Sequence, residues 1–378
     1  MLINWLGILG AGQGYSGASE NTVLALDKQG VDVRLMRFHN RVPKVNLSEA
    51  TQRLFAKRFR LAKVGICFSF PNAFTSLMND IKIGYTTFET DRIPNGLPII
   101  GKDEKGNLKY GYNKWAGKTG NAVDIINKLD RLFVPCTHNK ELFKNEGVTI
   151  PIDVVPHGVD LEKYHYIERP KKKVFTFLML GTLTIRKNPG MVISAFLELF
   201  KNRDDVELIL KTQSGTLGHI EFADVKNLKI IDRTATREEM QKLYQDADCF
   251  LFPSRGEGFG LPPLEAMATG LPTILSDNTG MSDFCDERYN FPVHCPRQDM
   301  RPAVRFPRSW GNVGNWYEPS FTHLKERMLY VFEHQDEAKK IGKDASEWIK
   351  SNWTFDNSAK KIISILEKNY GKEIYGKV

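Results

Sequence analysis

The sequence predicts an α/β fold with two domains, each built on a doubly wound parallel sheet. Short apolar runs alternate with helical patterns along most of the chain, which is typical of parallel sheets. The length of 378 residues corresponds to about two domains. Each half also contains a strand followed by a glycine-rich loop and a helix. We therefore expect two similar sheets, with a ligand bound near their glycine loops.

The first predicted domain begins with a strand, a glycine loop and a helix that starts at Ser19. The loop at 10–17 contains G-x-G, but it lacks the third glycine of the dinucleotide fingerprint and the acidic residue after the next strand. A dinucleotide-dependent dehydrogenase is therefore not favoured. The strands of this domain are predicted at 2–9, 31–36, 64–68, 81–88 and 131–135. A helix at about 138–146 and the stretch 152–160 then close the first half of the chain.

Two acidic residues follow the predicted strand 81–88. Ligands of parallel sheets gather at the carboxyl ends of the strands, so Glu89 and Asp91 are candidates for substrate contact. Glu89 as a structural cap is the alternative. The polar stretch 95–118, which is rich in lysine and aromatic residues, is predicted to be a long loop. It is a candidate for acceptor recognition, and an ordinary surface loop is the alternative.

The second predicted domain follows a linker at 170–173. Its first strand leads directly into Arg186 and Lys187, two cations placed after a strand. Strands are predicted at 174–180, 206–211, 228–231 and 248–252, and helices at 189–200 and 237–245, with another short element at 281–284 and helices towards the carboxyl terminus.

The stretch 253–273 is the most informative part of the sequence. A short apolar strand is followed by three closely spaced glycines and then by two prolines that begin a helix, which Gly270 ends. A helix amino terminus beside a glycine loop suits phosphate or sugar oxygens. Glu257 lies in the loop and Glu265 in the first turns of the helix, so both carboxylates could serve one crevice. A plain connection with a favourable helix-dipole partner is the alternative.

Glu257 and Glu265 are separated by seven residues within GEGFGLPPLEAMATGLP, and this string resembles the EX7E signature of the family 4 retaining glycosyltransferases. The resemblance implies the GT-B fold, in which two Rossmann-like domains face a central cleft. It also implies that the final helix, about 354–378, returns to an acceptor-side domain at 1–165, whereas 166–353 binds the nucleotide sugar. The resemblance is strong from about 150 to 290 and weak before that.

The resemblance also implies roles for particular residues. Glu257 would lie against the reacting sugar, and Arg186 and Lys187 would bind the donor diphosphate without a metal. Glu89 stands near a position where many family members have a histidine that touches the donor sugar. His157, in VPHGVD, resembles a structural element of the family, and its use as a general base is the less favoured alternative. The donor-binding residues implied are Glu265, Gly258, Phe259, Gly260, Leu261, Gly12, Gly14 and Arg233.

The implied reaction is the transfer of a sugar from a UDP-sugar or GDP-sugar to a hydroxyl acceptor, with retention of anomeric configuration and no required cofactor. The sequence offers no convincing DxD pair, so a metal-dependent GT-A enzyme is not supported. Three alternatives stay open. They are a catalytically silent nucleotide-sugar-binding partner protein, a GT-B phosphorylase or epimerase, and a glycosyltransferase acting on modified nucleic acid.

Charge and cysteine content indicate the partners and the compartment. The net charge is +8, and residues 1–160 hold 21 Lys and Arg against 15 Asp and Glu, whereas the remainder holds 32 against 30. The basic first half predicts an anionic acceptor surface, most readily a lipid-linked or envelope glycan and less readily nucleic acid, unless the charge is merely solvated. Five scattered cysteines and no membrane-spanning run predict a cytoplasmic protein, with peripheral membrane contact left open.

Overall fold

The computed structural model describes residues 1–9, 14–36, 47–94, 97–98, 101–102, 108–109, 119–213, 225–304 and 311–376. The predicted donor-loop residue Gly12 and most of the predicted acceptor loop at 95–118 lie outside these residues. Among the helices that the described residues form, none is both long and apolar enough to cross a bilayer.

The chain divides into two compact units. Unit 1 consists of Met1–Gly158, Ala303–Asn315 and Phe355–Val378, and unit 2 consists of Val159–Pro302 and Trp316–Thr354. The final helix thus groups with the first unit. The segment Ala303–Asn315 also groups with the first unit, which the sequence did not predict.

Unit 1 contains a six-stranded parallel sheet. The strands are β1 Leu2–Gly7, β2 Asp32–Met36, β3 Val64–Phe68, β4 Ile81–Tyr85, β5 Arg131–Val134 and β6 Ile152–Val154, and the helices are α1 Gly14–Lys28, α2 Glu49–Ala56, α3 Ala122–Ile126, α4 Thr137–Asn145 and α10 Phe355–Tyr375. The strands lie in the order β6-β5-β4-β3-β1-β2, and β3 and β5 are buried along their whole length. Helices α1 and α10 pack against each other in this unit.

Most boundaries in unit 1 lie within two residues of the prediction, including β1, which ends at Gly7 and not at Leu9, and two differ by more. Helix α1 begins at Gly14 and not at Ser19. Strand β4 ends at Tyr85, before the predicted end at Phe88. Beyond Tyr85, the backbone of Phe88 is hydrogen-bonded by the side chain of Asn139 and not by a neighbouring strand. The amide of Asn139 accepts from the Phe88 N–H at 2.7 Å and donates to the Phe88 carbonyl at 3.1 Å. The backbone that precedes Glu89 is therefore fixed outside the sheet.

Unit 2 repeats the architecture, with a second six-stranded parallel sheet. The strands are β7 Phe175–Leu180, β8 Val206–Thr212, β9 Leu228–Asp232, β10 Cys249–Phe252, β11 Thr273–Ser276 and β12 Phe291–Val293, and the helices are α5 Pro189–Phe200, α6 Arg237–Asp246, α7 Leu261–Ala268, α8 Phe321–Glu333 and α9 Gln335–Asn352. The strands lie in the order β9-β8-β7-β10-β11-β12. The core of this unit is rich in phenylalanine, including Phe177, Phe196 and Phe200.

Several short elements complete the structure. The predicted element at 281–284 is part of a 3₁₀ helix. The 3₁₀ helices are Pro71–Ser76, Ile185–Lys187, Thr279–Phe284 and Arg297–Asp299, and the short strands are Leu97–Pro98, Gly101–Lys102, Leu108–Lys109, Thr119–Gly120, Met300–Pro302 and Asn315–Tyr317.

Candidate active site

The candidate site in unit 2 begins where the strand order of the sheet reverses. Strand β7 pairs with β10, with Phe177 opposite Cys249 and Leu178 opposite Phe250. The chain runs outwards from β7 to β9 on one side of this pair and from β10 to β12 on the other. Parallel doubly wound sheets bind ligands at the carboxyl ends of such a strand pair. The loops that follow β7 and β10 therefore meet at one place.

One buried carboxylate joins these two loops. Oε1 of Glu257 lies 2.7 Å from Nη1 of Arg186 and 2.7 Å from Nζ of Lys187. The same oxygen accepts a hydrogen bond of 2.6 Å from the hydroxyl of Ser254. Glu257 is only 6% exposed, so these partners replace the water that a charged group would otherwise require. The structure thus brings Glu257 together with the Arg186 and Lys187 pair, two features that the sequence singled out in different loops.

Electrostatics keep Glu257 ionised. Burial alone would raise the pKa of this carboxyl, but the charges of Arg186 and Lys187 lower the pKa to about 2. A carboxyl with this pKa holds no proton at neutral pH, so it cannot act as a general acid. Nζ of Lys187 also lies 4.4 Å from the centre of the Phe252 ring, which holds the cation over an aromatic face.

The loop that carries Glu257 is held by the 3₁₀ helix at Thr279–Phe284. The hydroxyl of Thr279 accepts a 2.8 Å hydrogen bond from the Glu257 N–H. Gly260 has φ of 105°, and a Cβ there would lie 2.9 Å from Cγ of Met281. Glycine is therefore required by both conformation and space. Phe259 is buried, and the centres of its ring and of the Phe284 ring lie 5.8 Å apart. Its side chain therefore packs against Phe284, and only its backbone is placed to contact a donor.

Glu265 lies on α7 and is half-buried. Its Oε2 accepts a 3.1 Å hydrogen bond from the hydroxyl of Tyr244, a fully buried residue of α6. Burial raises the pKa of Glu265 to about 7, although the Tyr244 hydrogen bond opposes this rise. This carboxyl therefore changes its charge near neutral pH. Leu261, the first residue of α7, is half-buried, and Gly258 packs closely against Gly280.

Arg233 lies at the end of β9, on an exposed surface. Its guanidinium binds both oxygens of Glu239, at 2.9 Å and 2.7 Å. Glu239 also caps α6 by accepting from the Thr236 N–H. The side chain of Arg233 is therefore already engaged, and a ligand would have to share it or displace Glu239.

In unit 1 the predicted site residues are less concentrated. Gly14 is exposed at the beginning of α1, and Glu89 is half-buried beyond the end of β4. Asp91 was predicted to contact substrate, but its carboxylate is hydrogen-bonded to Asn315. Its Oδ1 accepts from the Asn315 N–H at 2.6 Å, and its Oδ2 accepts from the Asn315 amide at 3.1 Å.

His157 is a poor candidate for a general base. It is 5% exposed, and its Nδ1 lies 3.0 Å from the hydroxyl of Tyr85. That hydroxyl donates to the Val155 carbonyl at 2.5 Å. Burial lowers the pKa of His157 to about 3, so the ring is neutral and only weakly basic at neutral pH.

The sequence interpretation missed a second ionic cluster that supports the first. Glu318 is buried and accepts hydrogen bonds from Arg255 and from the amide of Asn188, and Arg301 lies 3.1 Å from it. Asn188 has φ of 64°, a left-handed conformation that asparagine tolerates, and it connects the Ile185–Lys187 turn to α5. Glu318 lies far along the chain from both loops, so no local sequence pattern marks it.

Among the residues that the structure describes, no group of three or more His, Cys, Asp or Glu side chains is placed to hold a metal ion.

Comparison with known families adds a first independent finding. Residues 160–300 match the family described as "Glycosyl transferases group 1", which covers the candidate site of unit 2 but less than half of the chain. The chain is 26% identical over 258 residues to uncharacterized protein 356 of Sulfolobus islandicus rod-shaped virus 1, covering 64% of this chain and 70% of that protein. It is 30% identical over 164 residues to the UDP-Gal:alpha-D-GlcNAc-diphosphoundecaprenol alpha-1,3-galactosyltransferase of Escherichia coli. That match covers 38% of this chain and 42% of that protein.

Solved structures confirm the fold. Sucrose-phosphate synthase from Thermosynechococcus elongatus is similar with a TM-score of 0.65 at 14% identity, covering 98% of this chain and 99% of that one. Anabaena HepE, solved with UDP-glucose, has a TM-score of 0.63 at 12% identity, covering 97% and 100%. The fold is therefore GT-B, as the sequence predicted. The finer family 4 assignment stays a prediction.

Proposed function

We propose that the whole chain, and not only its 160–300 segment, acts as a retaining glycosyltransferase of the family 4 type. It would move a sugar from a UDP-sugar or GDP-sugar to a hydroxyl acceptor without a required metal. The observation that carries this proposal is the buried contact of Arg186 and Lys187 with one oxygen of Glu257, at the strand reversal of unit 2.

The charge of this cluster suits a diphosphate. Two cations and one ionised carboxylate leave one net positive charge in a largely buried place, with the Arg186 side chain 17% exposed and that of Lys187 11% exposed. When the glycosidic bond breaks, the nucleotide diphosphate gains negative charge, which preorganised cations stabilise. Arg186 and Lys187 would bind this leaving group, and Glu257 would hold them in position.

An ionised Glu257 also fits the proposed retaining chemistry. The sugar becomes an oxocarbenium-like cation as the diphosphate departs, and a fixed negative charge nearby stabilises that cation. The departing phosphate oxygen would take the acceptor proton, and the acceptor oxygen would bond to the anomeric carbon on the same face. In unit 1, Glu89 is proposed to contact the donor sugar where many family members use a histidine.

The nucleotide is proposed to bind along α7. Glu265 would accept hydrogen bonds from the ribose hydroxyls, and the backbone from Gly258 to Leu261 would lie close to the donor. Arg233 would contact the base, and Gly12 and Gly14 would belong to a loop that covers the donor. The solved HepE complex with UDP-glucose favours a uridine nucleotide within this proposal.

The acceptor is proposed to be a glycan or a lipid-linked glycan. The Escherichia coli relative acts, by its name, on a sugar attached to diphosphoundecaprenol. The proposal also includes a cytoplasmic location, because the five cysteines are all free thiols, which suit a reducing compartment.

Donor hydrolysis in the absence of acceptor tests the transfer proposal. The purified protein is incubated with a panel of UDP-sugars and GDP-sugars, and released UDP or GDP is measured beside an Arg186→Ala control. We expect release from one donor, initial formation of the sugar anomer that the donor carries, and unchanged release in the presence of a chelator. The opposite anomer would exclude retention, and loss of release with the chelator would exclude metal independence.

The same assay separates the rival functions. A silent nucleotide-sugar-binding protein would show a thermal shift with a donor but no release of UDP or GDP. A phosphorylase would form a sugar 1-phosphate only when inorganic phosphate is added. An epimerase would change the sugar while it remained attached to the nucleotide. Any of these results would replace the transferase proposal.

A further inference from the structure

An exposed segment of unit 1 combines apolar and basic side chains. Helix α2 ends at Ala56, and the basic stretch that begins at Arg53 continues as a loop through Lys63. In this loop Phe59 is 49% exposed and Leu61 is 54% exposed. Arg58 and Arg60 alternate with them and are also exposed. We call residues 58–61 the RFRL segment.

The RFRL segment is anchored to the sheet by its backbone. Arg34 donates to the Arg58 carbonyl at 2.8 Å, and the amide of Asn4 donates to the Arg60 carbonyl at 2.9 Å. Asn4 also accepts from the Ala62 N–H at 2.8 Å. Side chains of β1 and β2 thus hold alternate residues of the loop. The exposure of its side chains is therefore a property of the fold.

The chain on either side of the RFRL segment carries only positive charge. Residues 50–79 contain five Lys and Arg and no Asp or Glu. Lys57 is paired with Asp27 at 2.7 Å and with Asp32 at 3.5 Å. The other basic residues, Arg53, Arg58, Arg60 and Lys63, are exposed and make no side-chain ion pair within the described part of the chain. Their charge is available to an external anion.

We infer that the RFRL segment docks this protein on an anionic lipid bilayer surface. Phe59 and Leu61 would enter the boundary between headgroups and acyl chains, while the basic residues would contact the anionic headgroups. Nucleic acid is less suited, because an aliphatic side chain such as Leu61 offers no ring for base stacking. The inference concerns unit 1 and requires no catalysis, so its failure would leave the transfer proposal intact.

Vesicle binding tests this inference with two matched pairs of variants. Phe59→Ser/Leu61→Ser removes the apolar side chains and keeps the charge, and its control is Leu329→Ser, at a residue 37% exposed on α8. Arg58→Gln/Arg60→Gln removes two charges, and its control is Lys360→Gln/Lys361→Gln, at two exposed residues of α10. Co-sedimentation is measured with mixed phosphatidylglycerol and phosphatidylcholine vesicles, with phosphatidylcholine vesicles and with a DNA duplex, at low and moderate salt.

We expect the unaltered protein to bind the anionic vesicles, more strongly at low salt, and not the neutral ones. The serine pair should weaken binding by about tenfold or more, and the glutamine pair by roughly 10- to 30-fold. Both controls should bind as the unaltered protein does, and circular dichroism should show all variants folded. Undiminished binding of the serine pair, retention by DNA alone, or no binding to anionic vesicles would each overturn the inference.

Discussion

Glu318 binds the guanidinium of Arg255 through both of its carboxylate oxygens. Nε of Arg255 lies 2.6 Å from Oε2, and Nη2 lies 2.9 Å from Oε1. Arg255 in turn donates through Nη1 to the Ile185 carbonyl, and its N–H donates to the Arg186 carbonyl at 2.8 Å. Glu318 therefore supports, through Arg255, the turn that carries Arg186 and Lys187, and it is a positioning residue of the proposed site.

Glu318→Gln should lower turnover and stability together. The substitution leaves the largely buried guanidinium of Arg255 without its counter-charge. Breaking a buried ion pair lowers the free energy of unfolding by up to about 3–5 kcal/mol. Thermal unfolding and donor hydrolysis are the measurements. Arg301→Gln is the matched control, because the Arg301 side chain is 65% exposed and such a pair contributes about 0–1 kcal/mol. Equal effects of the two substitutions would contradict the positioning role.

Glu257→Gln should lower donor turnover more than tenfold and leave donor affinity within a few-fold. The substitution removes the charge that orients Arg186 and Lys187, but it does not weaken the attraction of these cations for a diphosphate. Turnover is followed by UDP or GDP release, and affinity for the intact donor by calorimetry. Normal turnover would remove Glu257 from the proposed mechanism, and a parallel loss of affinity would assign it to ground-state binding.

Arg186→Ala and Lys187→Ala should each lower turnover by roughly 10- to 100-fold, the effect of losing a charge-assisted hydrogen bond. The double variant should lose less than the product of the two effects, because both cations contact one carboxylate and would serve one diphosphate. A double-mutant cycle on donor hydrolysis measures this coupling. Strictly multiplicative effects would show that the two cations act on separate groups.

Nucleotide binding should weaken as the pH falls below about 7. The pKa of Glu265 is raised to about 7 from an ordinary 4.5, so the carboxylate that would accept the ribose hydroxyls is lost through this window. The raised pKa also lowers the free energy of unfolding as the pH rises from 4.5 to 7, because the folded state binds this proton more tightly than the unfolded state does. Titration of UDP and GDP affinity against pH measures the effect.

Two variants control the Glu265 prediction. Glu265→Gln should bind the nucleotide weakly and without this pH dependence. Tyr244→Phe removes a hydrogen bond that lowers the pKa of Glu265, so it should move the loss of affinity to higher pH. An unshifted profile in Tyr244→Phe would show that another group causes the pH dependence.

The repeated α/β architecture and the local elements of the site could be predicted from the sequence alone. Alternation of apolar runs and helical patterns predicted the strands, because strand and helix periods differ and each period is a local property. The glycine turn before Glu265 could also be predicted from the sequence, because glycine marks turns with a left-handed φ. The structure places such a φ at Gly260, where a Cβ would also not fit. The GT-B fold followed from resemblance, and comparison with solved structures confirmed it.

Which of these elements contact each other depends on the tertiary structure. Arg186 and Glu257 come together because β7 and β10 are neighbours, and strand order depends on long-range packing that no local pattern records. The same holds for Glu318, which reaches Arg255 from a distant segment, and for Phe59 and Leu61, whose exposure depends on the anchoring of their loop by Asn4. Ionisation followed as well: burial and the neighbouring charges separate the pKa values of Glu257 and Glu265, two glutamates of one motif.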